Sequence, residues 1–289
     1  MTRRINRAIA GLAAGRPIFY TGGHSGANLT FEAGMGMAST WADYINVGME
    51  HGAFDMHGLD EFMRGLAEAS GTDGTPAVLV ELPVDGSSEQ GVRINAWQCR
   101  QILARGVHGL LLCHAESPEA VSAFVESCRY PFQTLGVGDG LNAGRRGAGG
   151  QATAAAIWGI TADEYLDKAD PWPLNPEGEL LLGLKIENRR ALERVEETLR
   201  VPGIAFAEWG PADMSMSFGY RSFPHEPRPP ELTAARERVF AACKAAGVAF
   251  LEGASSEDVA AKIDAGVRVF GGSEEVARVG RSHAVTANG

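Results

Sequence analysis

Apolar runs of strand length alternate with longer stretches of helical periodicity along nearly the whole chain, which is the order of a parallel sheet wrapped by helices. Eight runs read as strands: Pro17 to Tyr20, Tyr44 to Met49, Ala77 to Leu82, Gly109 to Cys113, Leu180 to Ile186, Ile204 to Ala207, Val248 to Leu251 and Val267 to Phe270. Helical patterns fill the intervals at Asn95 to Arg105, Pro118 to Cys128, Arg189 to Leu199, Pro230 to Ala246, Ser256 to Ala265 and Glu274 to Val279. Two of them carry start signals. Ser117-Pro118-Glu119 reads as N-cap, proline at the first helical position and an acid in the first turn, and Ser255-Ser256-Glu257-Asp258 is similar. Eight βα units in this length predict an α/β fold, a (β/α)8 TIM barrel, with an open doubly wound sheet as the alternative.

Two stretches break the rhythm of what otherwise reads as one barrel domain over residues 1–289. A glycine-rich insertion at about 131–176, with Gly136 to Gly150 at its heart and a helix expected around Thr161 to Lys168, is too long for an ordinary connection. Such a length points to a functional loop or a subunit contact. The proline-rich stretch from Arg221 to Pro230 is a second long loop and a candidate wall or lid.

Composition narrows the partners. The 289 residues are 45% hydrophobic, enough for a large core, and 26 basic against 36 acidic residues give a formal charge of −10. That balance argues against nucleic acid or an anionic membrane as the main partner, and a small anionic substrate would need a locally positive pocket. Cys99, Cys113, Cys128 and Cys243 show neither a CxxC pair nor Cys/His ligand spacing, so a reducing, cytoplasmic setting is the natural reading. The basic opening, Met1 to Arg7, precedes an apolar stretch, Ala8 to Gly15, that is too short and glycine-rich for a signal peptide. An amphipathic opening helix is expected instead, and no later run is long enough to span a bilayer.

The candidate chemistry lies at strand ends. Glu187 closes the run ending Lys185-Ile186, and Asp213 follows Ile204 to Trp209 after Gly210-Pro211. In neighbouring parallel strands the two acids meet on the face where α/β enzymes keep their chemistry, and their oxygen-only donors imply Mg2+ or Mn2+. Asp213 could instead cap a helix. His51, in Met49-Glu50-His51-Gly52 after the second strand, is the leading base, with Glu50 expected to point away from it and orient the loop. Lys185, two residues before Glu187, shares its face and offers a cation inside the site; alternatively it is a strand-end lysine paired with an acid. His114 with Glu116, after the fourth strand, could meet the far end of a substrate or cap the helix at Pro118.

Met49-Glu50-His51-Gly52, Arg129-Tyr130-Pro131, Gly144-Arg145-Arg146-Gly147, Lys185-Ile186-Glu187 and Gly210-Pro211-Ala212-Asp213-Met214-Ser215, in this order, resemble the motifs of the HpcH/HpaI aldolase family, the metal-dependent pyruvate aldolases. The likeness covers roughly Pro17 to Gly280. It implies a (β/α)8 barrel, with the last helix exchanged between subunits of a homo-oligomer (trimer or hexamer), and reversible aldol cleavage releasing pyruvate or a related 2-oxo acid. Glu187 and Asp213 then resemble the metal ligands, His51 the base-side histidine, and the backbone at Gly210, Ala212 and Asp213 the cradle of the substrate carboxylate. Arg146 becomes a candidate for binding substrate anions or a structural anchor of its loop.

The departures are specific. Where the family has an arginine on the third strand, Pro76-Ala77-Val78 continues with Leu79; an aspartate usual before Glu-His is Gly48; a histidine-partnering acid aligns near Ala104; and the glutamine two residues before the metal glutamate is Lys185. Lys185 is expected to supply the charge lost at Leu79. The resulting expectation is a metal-dependent lyase splitting a 4-hydroxy-2-oxo acid into a 2-oxo acid and an aldehyde. The alternatives are a Schiff base on Lys185, an acyl-CoA ester lyase of the citrate lyase β or malyl-CoA type aided by Arg100 and Arg105, and a barrel that only binds a 2-oxo acid or a partner protein.

Overall fold

Nine strands, all parallel, form one sheet in the computed structural model, which describes residues 4–71, 74–224 and 227–287. They are β1 (Ile18–Gly23), β2 (Tyr44–Gly48), β3 (Ala77–Asp85), β4 (Gly109–Cys113), β5 (Pro171–Trp172), β6 (Leu180–Lys185), β7 (Phe206–Glu208), β8 (Ala249–Gly253) and β9 (Val269–Gly271). The sheet runs β4-β3-β2-β1-β9-β8-β7-β6, and β6 pairs back onto β4 from Leu181 opposite Gly109 to Leu184 opposite Leu112. That pairing closes an eight-stranded barrel. The two-residue β5 adds only a short pairing to β6, Pro171 to Leu180 and Trp172 to Leu181. The expected TIM barrel is therefore the observed fold, and the open sheet is excluded.

Strand parity sorts side chains into two cores. Val78, Val80 and Leu82 of β3, and Leu180, Leu182 and Leu184 of β6, join the large cluster between sheet and helices. Their alternates, Ala77, Leu79 and Leu181, with Ile18, Tyr44, Phe206 and Val269, fill the barrel. Continuing that inward phase toward the C-terminal ends of the strands leads to Glu81, Lys185 and Glu208, so the apolar plug gives way to charge at one level of the mouth.

Local signals account for most helix limits. The helix Pro118–Cys128 starts as expected, with the Ser117 hydroxyl accepting from the Ala120 N–H. The helix Pro230–Ala246 ends at Gly247 in the left-handed region. The pattern read at Asn95 to Arg105 is two helices, Glu89–Asn95 and Trp97–Leu103, joined at Ala96. Ser255 is not the cap of its helix: the N-cap residue is Asp258, whose Oδ1 accepts from the Ser255 N–H, and the helix is Val259–Ala265. The opening helix Arg7–Ala13 is capped by Asn6 and places Ala8 and Ile9 in the barrel's inner cluster; the start of that segment, Met1 to Arg3, lies outside the described residues.

The insertion holds the helices Gln151–Trp158 and Ala162–Lys168, the second opened by a capping box between Thr161 and Glu164. It is tied down by Arg129, fully buried, whose guanidinium donates to both oxygens of Asp170 at 2.6 and 3.1 Å. Of the loop Arg221 to Pro230, residues 225 and 226 lie outside the described residues. The last helix runs further than its pattern, Glu274–Ala287, and Arg281 ties it to Asp43 at 2.8 Å. Among the described residues no helix is long and apolar enough to cross a membrane, and the four cysteines are buried and unpaired.

Candidate active site

The C-terminal mouth of the barrel holds a cavity of about 250 Å3 lined by His24, His51, Lys185, Glu187, Glu208 and the turn Gly210 to Asp213. The structure thus brings His51, Lys185, Glu187, Gly210, Ala212 and Asp213 to one place. Asp213 is not an N-cap: it sits in the first turn of the helix Pro211–Ser217, behind Gly210 at φ +44°. Gly210 packs against Glu187 so tightly that a Cβ there would lie 2.3 Å from the Cβ of Glu187. The turn and the carboxylate therefore hold each other in place.

Glu187 is 1% exposed and accepts the main-chain N–H of His114 at 2.8 Å. His114 adopts φ +46°, in the left-handed region. Its ring approaches Glu50 Oε1 at 3.4 Å and Asn188 at 3.1 Å. Glu116 accepts from the same Asn188 at 3.0 Å and takes Arg190 in a bidentate pair, while Ser117 does the capping. The capping role weighed for His114 and Glu116 is thus filled by their neighbour.

Glu50 departs from expectation. It does not point away from His51: with β2 ending at Gly48, the chain turns and Glu50 lies 3.5 Å from His51 Nε2 and 2.5 Å from Lys185 Nζ. Strand parity does not carry past the last paired residue. Gly48 also explains the missing aspartate, since a Cβ there would meet the main chain of His24 at 2.1 Å.

Lys185 is enclosed by acids. Its ammonium lies 2.5 Å from Glu50, 3.5 Å from Glu81 and 3.8 Å from Glu187. Burial opposes the charge, but the field of Cys113, Glu187, Glu208 and Glu81 outweighs it and raises the lysine pKa. Burial raises Glu187 well above the ordinary carboxylate range against the pull of Lys185, with Glu50 adding to the rise, and burial likewise raises Glu208. For Glu81, burial is outweighed by the hydrogen bond from His24 and the charges of Lys185 and His24, so its pKa is lowered.

Sequence reading missed Glu81, Glu208 and His24. Leu79 lies in the barrel plug, and the inward residue at the level of the site is Glu81. An acid on β3 thus faces a lysine on β6, 3.5 Å apart, where an arginine had been expected on β3. His24 Nδ1 meets Glu81 Oε1 at 2.6 Å, and Asn46 donates to the same oxygen at 2.8 Å. The available signal was a lone acid inside each apolar strand, Val80-Glu81-Leu82 and Ala207-Glu208-Trp209.

Arg146 is not in the cavity. Its guanidinium is buried between the Tyr130 and Tyr165 rings, 4.6 and 5.2 Å from their centroids, and donates to the Tyr165 hydroxyl at 2.6 Å. This is the anchoring arrangement, and it replaces the expected substrate contact in this chain's own pocket. Arg105 pairs with Asp60 at 3.2 Å on the helical layer.

Carboxylates of Glu50, Glu81 and Glu187 thus lie within 4 Å of one ammonium, and those of Glu208 and Asp213 line the same cavity. Glu50 Oε1, Glu81 Oε2 and Glu208 Oε2 are buried and accept no hydrogen bond. A set of hard oxygens short of donors fits a divalent cation.

Comparison with known proteins bears on what such a mouth does. The profile of the HpcH/HpaI aldolase/citrate lyase family matches residues 75–282. A hydroxypyruvate/pyruvate aldolase of Sagittula stellata is 29% identical over 212 residues, 73% of this chain and 70% of that protein. A 2-keto-3-deoxy-L-rhamnonate aldolase of Klebsiella pneumoniae is 32% identical over 162 residues, 55% of this chain and 53% of that protein. Among solved structures, an HpcH/HpaI aldolase/citrate lyase family protein of Burkholderia cenocepacia shares the fold with a TM-score of 0.69 at 23% identity, covering 94% of this chain and 95% of its own.

Proposed function

Since the chain belongs to the HpcH/HpaI aldolase/citrate lyase family, we propose that it is a divalent-metal-dependent aldolase that reversibly cleaves a 4-hydroxy-2-oxo acid to pyruvate or a related 2-oxo acid and an aldehyde. The observation that carries this reading is the shared cavity of Glu187, Asp213, His51 and Lys185 at the barrel mouth. The aldolase names of relatives from Sagittula stellata and Klebsiella pneumoniae support the reaction class.

Glu187 and Asp213 would hold Mg2+ or Mn2+. When bound, such an ion supplies the Lewis acidity that polarises a 2-oxo group and takes up negative charge as the bond between C3 and C4 breaks. His51 takes the proton of the 4-hydroxyl, directly or through water, and Glu50 and Asp213, 3.5 and 3.7 Å from its Nε2, steady the imidazolium that results. Lys185 presents its ammonium to the enolate charge. The amides at Ala212 and Asp213, in the first helical turn, have no partners within the helix and face the substrate carboxylate, beside the Gly210 turn. Proton return to C3 completes the 2-oxo acid.

The raised pKa of Lys185 disfavours the Schiff-base route, which requires a neutral amine. The test is a panel of 2-oxo acids, pyruvate and hydroxypyruvate among them, with aldehydes, assayed with and without Mn2+. Glu187→Gln should abolish both turnover and the binding of Mn2+ at this position. Full activity of that variant after exhaustive chelation would discard the scheme.

A further inference from the structure

Glu81, Glu208 and His24 lie beyond the roles just assigned. They come from β3, β7 and the loop after β1, and one ligand atom from each falls within 4.8 Å of the others. Glu208 is 8% exposed and its Oε2 has no hydrogen-bond partner; Glu81 is fully buried and its Oε2 likewise accepts no hydrogen bond. Asn46 holds Glu81 by donating to Oε1 at 2.8 Å, and the Tyr20 hydroxyl sits 3.0 Å from His24 Nε2. Lys185 Nζ stands between this group and the Glu187 side, 3.5 Å from Glu81 Oε2 and 3.8 Å from Glu187 Oε2.

We propose that His24, Glu81 and Glu208 form a second divalent-cation subsite in the barrel mouth, separate from that of Glu187 and Asp213. The geometry asks for it: Glu81 and Glu208 each aim a buried oxygen that accepts no hydrogen bond into one space, and His24 brings a ring nitrogen to the same place. The donor sets also differ: an imidazole with two carboxylates suits Mn2+ or Zn2+, whereas the oxygen-only pair of Glu187 and Asp213 suits Mg2+ as well. An ion at the subsite replaces the proton between His24 Nδ1 and Glu81 Oε1 and satisfies the free oxygens of both glutamates.

Mn2+ binding to the full chain, followed by calorimetry and by loss of the free-ion electron paramagnetic resonance signal, tests this without an activity readout. The wild type should bind two equivalents, one of which excess Mg2+ displaces. Glu208→Gln should weaken the Mg2+-resistant site about tenfold or more and spare the other, and Glu187→Gln should do the reverse. His24→Gln, at a rim position, gives the same answer as Glu208→Gln should that variant not fold. A single equivalent lost only in Glu187→Gln, or two equivalents retained in both Glu208→Gln and His24→Gln, overturns the second subsite. A single equivalent lost only in Glu208→Gln and His24→Gln would sustain it and remove the Glu187 and Asp213 site instead.

Discussion

Gly210→Ala tests the positioning of Glu187 with a change that touches no charge. Gly210 sits at φ +44°, where an L side chain costs roughly 1 to 2 kcal/mol. The added Cβ would lie 2.3 Å from Glu187 Cβ and 2.7 Å from its Oε2. Carbon atoms settle at about 3.5 Å or more, so the two residues must part by roughly 1 Å. Metal ligands tolerate about 0.2 Å. The displacement therefore exceeds the tolerance several-fold, and the Mn2+ affinity of the Mg2+-displaceable site should fall about tenfold to a hundredfold. Gly219→Ala is the control: at φ +94°, with nothing within 4 Å of its Cβ, it carries the backbone cost alone. Both variants should lose a few degrees of thermal stability, but only the first should lose the ion. Wild-type Mn2+ affinity in Gly210→Ala would refute the idea that this turn sets the carboxylate.

Three further outcomes follow from groups around and beneath the mouth. His108, wholly buried with its Nδ1 accepting from the Val78 N–H, is pushed by burial down to about 3. The unfolded chain therefore binds the extra proton between pH 6.5 and 3, so stability is full above that window and falls with acid by up to about 1.4 kcal/mol per pH unit. Denaturant unfolding at pH 7 and 4.5, with an NMR titration of the His108 ring, checks this, and a ring titrating near pH 6.5 in the folded protein would contradict it. Borohydride with pyruvate should leave no adduct on Lys185, since its raised pKa keeps the amine protonated; a mass gain mapped to that residue would reverse the ranking of mechanisms. Arg146→Ala should lower the melting temperature through lost packing on Tyr130 and Tyr165 while leaving KM for the 2-oxo acid unchanged. A raised KM with intact stability would return Arg146 to the substrate.

The barrel and half of its mouth were legible because they are written locally. Each of the eight barrel strands holds an apolar run between helix signals, while the two-residue β5 in the insertion has none, and caps such as Ser117 sit beside the helices they start. Glu187 and Lys185 were readable because they close a strand whose inward phase is set by Leu181. Glu81 and Glu208 escaped because strands buried on both faces show no polar alternation to mark the inward side. Glu50 was misread because parity was extended past Gly48, where the pairing stops. His24 follows β1 with no motif about it, and only the pairing of β1 and β3 on either side of β2 brings it to Glu81 across 57 residues of chain.

The hold on Glu187 by the main chain of residue 114 has an evolutionary corollary. A peptide N–H survives every exchange except that to proline, which the φ of +46° also excludes, so the acid keeps its tether while the imidazole beside it is free to drift. Only the left-handed backbone constrains the replacement, favouring glycine and asparagine. Exchange at residue 114 can therefore reshape that wall of the chamber while the carboxylate of Glu187 stays moored.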